Sequence, residues 1–184
     1  MEGPYRLVPL AAEHIPVLFG WHKAETHDDR FTCRPVRKIS TEREYAALRL
    51  RNQGNPAART YVLMHGQTPL AYTNLFDYNP RNRSAEFGYY MPEENRGAGN
   101  GSRMLFLFLN AAFSDESLAL HKLYATTSSG NAASNRLLQK FGFHLDGRLR
   151  EHYWVDGEKF DQMIYSLLRT EWESKKQGAV TPER

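Results

Sequence analysis

Cysteine is nearly absent: Cys33 is the single one in 184 residues. That excludes an intramolecular disulfide and a thiolate zinc cluster, and it fits a reducing compartment. Charge of one sign is not concentrated anywhere. Lys and Arg number 24 against 21 Asp and Glu, a net charge of +3, without the long basic stripe that duplex binding requires, so nucleic acid is not an expected partner. Long apolar runs are also missing. Met104 to Phe113, broken by Asn110, is about half of the ~20 residues a membrane span needs, so it reads as a buried helix and no membrane partner is expected. Met1 to Leu10 is interrupted by Glu2, Pro4 and Arg6 and lacks the layout of a secretory signal, which makes a cytoplasmic location the expectation. The seven histidines form no His-Glu-x-x-His or His-x-x-x-His pair, so no metal is expected.

What is present is one domain's worth of alternating periodicities. Tyr5 to Leu10 alternates as a strand does, and Ala11 to Glu25 carries Ile15, Leu18, Phe19 and Trp21 or His22 at helical spacing. Ser40 or Thr41 ahead of Glu44 signals the start of a second helix running to about Gln53. Thr60 to His65 and Pro69 to Asp77 read as a hairpin turning at Gly66-Gln67, and Arg83 to Met91 as a further strand, rich in aromatics. Lys122 to Thr127, a helix from Asn131 to Phe141, and a hairpin from Phe143 to Leu168 around Asp156-Gly157 complete the order. Antiparallel hairpins mixed with crossover helices define an α+β domain, expected over residues 1–172, with a flexible polar tail at 173–184.

The chemistry concentrates in Arg96-Gly97-Ala98-Gly99-Asn100-Gly101-Ser102. Three glycines at alternate positions leave backbone N–H groups uncovered where a helix begins, and a helix N-terminus favours a phosphate or pyrophosphate. A P-loop is excluded because Ser102 and Arg103, not Lys and Ser or Thr, follow Gly101. A dinucleotide fingerprint fits poorly, since Ser102 stands at its third position and the loop follows several hairpin strands.

The segment resembles the acyl-CoA signature of the GNAT acetyltransferase superfamily, Arg/Gln-x-x-Gly-x-Gly/Ala, matched by Arg96, Gly99 and Gly101. Asn131 to Phe143 is similar to the family's next helix. Asp146-Gly147-Arg148-Leu149-Arg150, Asp156-Gly157, Asp161 and Glu171-Trp172 are similar to its ribosomal-protein-alanine acetyltransferase branch. The resemblance implies a mixed, mostly antiparallel sheet of about seven strands with helices on both faces, and transfer of acetyl from acetyl-CoA directly to a primary amine. That amine belongs to a protein N-terminus or to a small molecule such as a polyamine, amino sugar or antibiotic. It implies that the strand Glu86 to Met91 diverges from the Lys122 to Thr127 strand, with pantetheine pairing to the exposed backbone of Tyr89, Tyr90 and Met91. The pyrophosphate would sit on Arg96 to Ser102, with Ala98 and Asn100 in the turn, and Asn131 would bond the pantetheine arm. Homodimers are common among such proteins. One departure is an extra residue between Pro92 and Arg96.

Attack by an amine needs a proton acceptor, and a departing thiolate benefits from a donor. Glu86, isolated between Ala85 and Phe87, is the first candidate base; pairing with Arg83 is the alternative. Where many relatives carry a tyrosine donor, this chain has Leu138, which leaves Ser134 as the substitute, with Tyr153 ranked lower. Ser134 bonding its own helix, and a coenzyme A thiol that needs no donor, remain open. The acceptor is expected among the first two helices and their loop, at Trp21, His22, Asp28 and Phe31. A catalytically inactive acyl-CoA sensor is the competing function.

Overall fold

The computed structural model describes residues 4–24, 38–51, 55 and 57–178. Seven strands, β1 Tyr5–Pro9, β2 Arg59–His65, β3 Thr68–Asn79, β4 Ser84–Tyr90, β5 Lys122–Ser128, β6 His144–Val155 and β7 Glu158–Leu168, form one sheet ordered β1-β2-β3-β4-β5-β7-β6. Every neighbouring pair is antiparallel except β4 and β5. Parallel neighbours require a crossover, and the long helix between them provides it. Among the described residues the α-helices are α1 Ile15–Ala24, α2 Glu42–Leu50, α3 Asn100–Ser114, α4 Ala132–Lys140 and α5 Arg169–Gly178. Thr41 caps α2 by accepting from the Glu44 N–H at 3.2 Å, as the sequence signal predicts.

Period-two alternation sends successive side chains to opposite faces, and the sheet is covered on both. Ile15, Leu18 and Trp21 of α1 and Tyr45 of α2 pack on Val62, Met64, Tyr72 and Tyr90. Leu105, Phe108 and Leu109 of α3, Leu138 of α4 and Trp172 of α5 pack on Phe87, Leu123, Ala125 and Tyr165. The expected seven-stranded α+β architecture, with helices on both faces, is the one observed. No described helix is long and apolar enough to cross a membrane.

The chain does not become irregular at residue 173. Helix α5 continues to Gly178, because Trp172 is buried against Phe106 and Phe141, with ring centroids 5.8 and 6.2 Å away. Lys175 Nζ also donates to the Lys140 carbonyl at 2.7 Å. Polarity signalled solvent exposure, which an amphipathic helix shares with a loose tail.

Candidate active site

Pairing between β4 and β5 covers Ser84–Lys122, Ala85–Leu123 and Glu86–Tyr124, and stops there. Beyond it β4 remains paired to β3 as far as Tyr90, and β5 to β7 as far as Ser128. The two strands therefore form a fork, with Glu86 at its apex and no ladder pairing between β4 and β5 beyond it. Backbone donors and acceptors along such a fork are obligatory hydrogen-bonding groups, and an extended amide-bearing chain is what they accommodate.

One open end of the fork meets the glycine loop. Gly97 and Gly99 have φ of 85° and 79°, in the left-handed region that favours glycine. Gly99 is the N-cap of α3, so the first N–H groups of the helix have no partner within it, and a helix start of this kind stabilises an anion. The turn is held from beneath. Arg103 donates to the Ala98 carbonyl at 2.5 Å and lies over the Tyr5 ring, while the buried Asn100 side chain donates to the Asn95 carbonyl at 2.9 Å. Arg96 donates to the Met91 carbonyl at 2.9 Å, and a 3-10 turn, Glu93–Asn95, takes up the stretch that carries the extra residue. Lys140 Nζ donates to Ser102 Oγ at 2.9 Å, adding a cation that glycine spacing alone does not reveal. These groups fit a pyrophosphate.

Strand parity places the candidate acid and base on opposite faces. Glu86 is buried, and its Oε1 accepts from Thr126 Oγ1 of β5 at 3.0 Å, on the face that carries α1 and α2. Tyr90 lies on that face too, stacked on Tyr72 at 5.5 Å and 6.2 Å from Trp21. Tyr89 projects the other way, toward α4, and its phenol donates to Ser134 Oγ at 3.0 Å. Burial raises the Tyr89 phenol to about 12, against a smaller lowering by Ser134, so it stays protonated through neutral pH.

Other candidates have structural partners. Asn131 caps α4, its side chain accepting from the Ser134 N–H at 3.1 Å. Trp21 is buried in the core beneath α1 and α2. His22 Nε2 accepts from the Ile39 N–H at 3.3 Å, and its ring tilts against Tyr45 at 5.2 Å. Asp28 and Phe31 lie outside the described residues. The Tyr153 hydroxyl is buried on β6, and Leu138 faces the core. Among the described residues no group of three or more His, Cys, Asp or Glu is arranged to hold a metal.

Residues 5–144 match the family model described as acetyltransferase (GNAT) domain. The chain belongs to this family. It is 32% identical over 103 residues to the ribosomal N-acetyltransferase-like protein YdaF of Bacillus subtilis, across 56% of this chain and 55% of that one. It is 27% identical over 117 residues to the spermidine N(1)-acetyltransferase of Vibrio cholerae, across 63% and 66%. The chain thus spans about half to two thirds of the length of these relatives. Among solved structures, the Vibrio cholerae spermidine N-acetyltransferase in complex with CoA and spermine superimposes with a TM-score of 0.80 at 20% identity, over 92% of this chain and 98% of that one. A dodecameric form of the same enzyme gives 0.78 at 20% identity, over 93% and 97%.

Proposed function

We propose that this chain is an acetyl-CoA-dependent N-acetyltransferase that moves the acetyl group directly to a primary amine. The observation that carries the reading is the fork whose apex is Glu86. A glycine-capped helix start lies at its mouth, and hydroxyl groups line its helix side.

The loop Arg96 to Ser102 binds the pyrophosphate of acetyl-CoA, and the edge of β4 that faces away from β3, from Tyr89 through Tyr90 to Met91, aligns the pantetheine arm as an added strand. Asn131, on the α4 side, closes over that arm. Bound acetyl-CoA supplies the thioester; the chain supplies position and proton transfer. Glu86, directly or through water, accepts the proton of the amine arriving from the α1/α2 face. A backbone N–H at the fork stabilises charge developing on the thioester oxygen. Ser134, supported by Tyr89, gives a proton to the sulfur as the C–S bond breaks and regains one from solvent, while Glu86 releases the amine's proton to solvent. The acceptor is a protein N-terminus or a small-molecule amine, a range that relatives described as ribosomal and as spermidine acetyltransferases support.

Calorimetric titration of acetyl-CoA tests the first half of this reading. Saturable binding to the wild type, lost in Gly99→Glu, supports it; no binding to the wild type overturns it. Thiol release over a panel of amines tests the second half. Glu86→Gln should lower turnover about 100-fold with acetyl-CoA affinity retained, whereas binding without turnover of any amine would leave the acyl-CoA sensor.

A further inference from the structure

Arg49, near the end of α2, is half-buried, with its guanidinium set between aromatic rings on the face where Glu86 lies. Its Cζ lies 4.6 Å from the Tyr72 ring centroid and 5.0 Å from that of Tyr45. Tyr72 in turn stacks on Tyr90, the last residue of β4 at the open fork. The cation is therefore one aromatic ring away from the strand that lines the proposed acetyl site.

A guanidinium has five N–H donors and is charged at every pH a protein survives. Arg49 spends one donor on the Tyr72 hydroxyl, at 2.8 Å. Its Nε–H is buried with no hydrogen-bond partner among the described residues, and the Tyr45 hydroxyl lies close enough to interact with the guanidinium. Ion pairs between described residues include those of Arg59, Arg148 and Lys159, and Arg49 takes part in none of them. Ring faces attract the cation, but they do not satisfy its donors, and buried polar groups are ordinarily bonded. A planar fork of donors with no carboxylate beside it among the described residues is suited to recognising an oxyanion in two-point fashion.

We propose that Arg49, with Tyr45 and Tyr72, holds an oxyanion carried by the acceptor amine, so that the preferred acceptor is an amino carboxylate or amino phosphate rather than a polyamine. The inference rests on the acetyltransferase reading above. A second ammonium group on the acceptor would meet a half-buried cation at this point and be repelled.

The test compares an ω-aminoalkyl carboxylate with the α,ω-diamine of the same chain length, and an aminoalkyl phosphate with the corresponding amino alcohol, as acceptors in the thiol-release assay. The wild type should favour the oxyanion member of at least one pair by about tenfold or more in kcat/KM. The pair that shows the preference tells carboxylate from phosphate. In Arg49→Met that ratio should fall about ten- to 100-fold through acceptor KM, the span expected for losing a charged hydrogen bond. In Arg49→Lys, which keeps the charge but not the fork, it should fall by an intermediate amount. A wild type that favours the diamine and the amino alcohol, or a ratio that Arg49→Met and Arg49→Lys leave unchanged, overturns the proposal. Should no amine turn over, the acetyltransferase reading fails separately, and calorimetry of the amino carboxylate and the amino phosphate with the CoA-loaded protein decides this one. Saturable binding of either, weakened in Arg49→Lys, upholds the oxyanion site, and no binding of both overturns it.

Discussion

The Tyr89 phenol donates a hydrogen bond to Ser134 Oγ at 3.0 Å, tying the fork strand β4 to the first turn of α4. With its oxygen accepting from tyrosine, the serine is free to direct its own proton elsewhere. Tyr89→Phe should reduce kcat about fivefold, the scale of one net hydrogen bond of about 1 kcal/mol, with acetyl-CoA affinity retained. Ser134→Ala should cost at least as much, and the double variant no more than Ser134→Ala alone, since both act through one proton path. Strict additivity in steady-state kinetics would separate the two hydroxyls.

Alkaline stability is the second expectation. Burial pushes both Tyr45 and Tyr89 up to about 12, partly opposed by Arg49 and Ser134 respectively, whereas a free phenol ionises near 10. The folded state then holds each proton more tightly than the unfolded chain. The contribution is complete below about pH 10 and is lost as pH rises from there toward the folded value, by up to about 1.4 kcal/mol per pH unit for each tyrosine. Urea unfolding at a series of alkaline pH values should show this slope, and Tyr89→Phe should make it shallower.

The two loop glycines should separate by mechanism. Gly99 has φ of 79°, and a Cβ there would stand 3.1 Å from the Arg103 guanidinium. Gly99→Ala should therefore cost about 1 kcal/mol or more in stability as well as acetyl-CoA affinity. Gly101 lies inside α3, and its Cβ would meet Leu137 Cδ2 at an ordinary 3.4 Å. Gly101→Ala should fold with an unchanged or raised Tm and lose less acetyl-CoA affinity than Gly99→Ala, because its methyl group points at Leu137 of α4. Thermal melts with and without acetyl-CoA distinguish the pair.

Gly130, in the turn between β5 and α4, should tolerate no side chain. A Cβ would approach Phe160 ring carbons at 2.8 and 2.9 Å, so Gly130→Ala should destabilise by roughly 1–3 kcal/mol. Combining it with Phe160→Leu should recover part of the loss. An unchanged melting temperature for Gly130→Ala would contradict this packing of β7 against the turn.

Several features were legible in the sequence because they are local. The glycine-led helix start, the Thr41 cap and the runs that form the strands depend on residues a few positions apart, and each of these elements appears where expected. The same local rules misread residues 173–178, since the contacts that hold α5 come from Phe106, Lys140 and Phe141.

The sequence by itself determined the order of elements, the family signature and Glu86 as an isolated carboxylate in an apolar strand. Only the tertiary structure decided which groups meet. Glu86 and Thr126 are 40 residues apart, Tyr89 and Ser134 are 45, and Arg49 and Tyr72 are 23. Their contact depends on sheet register and on where β4 and β5 part, neither of which any single segment encodes. Side-chain direction reverses with every residue along a strand. Neighbours in sequence, Tyr89 and Tyr90, consequently serve opposite faces, one touching Ser134 and the other Tyr72 and Trp21.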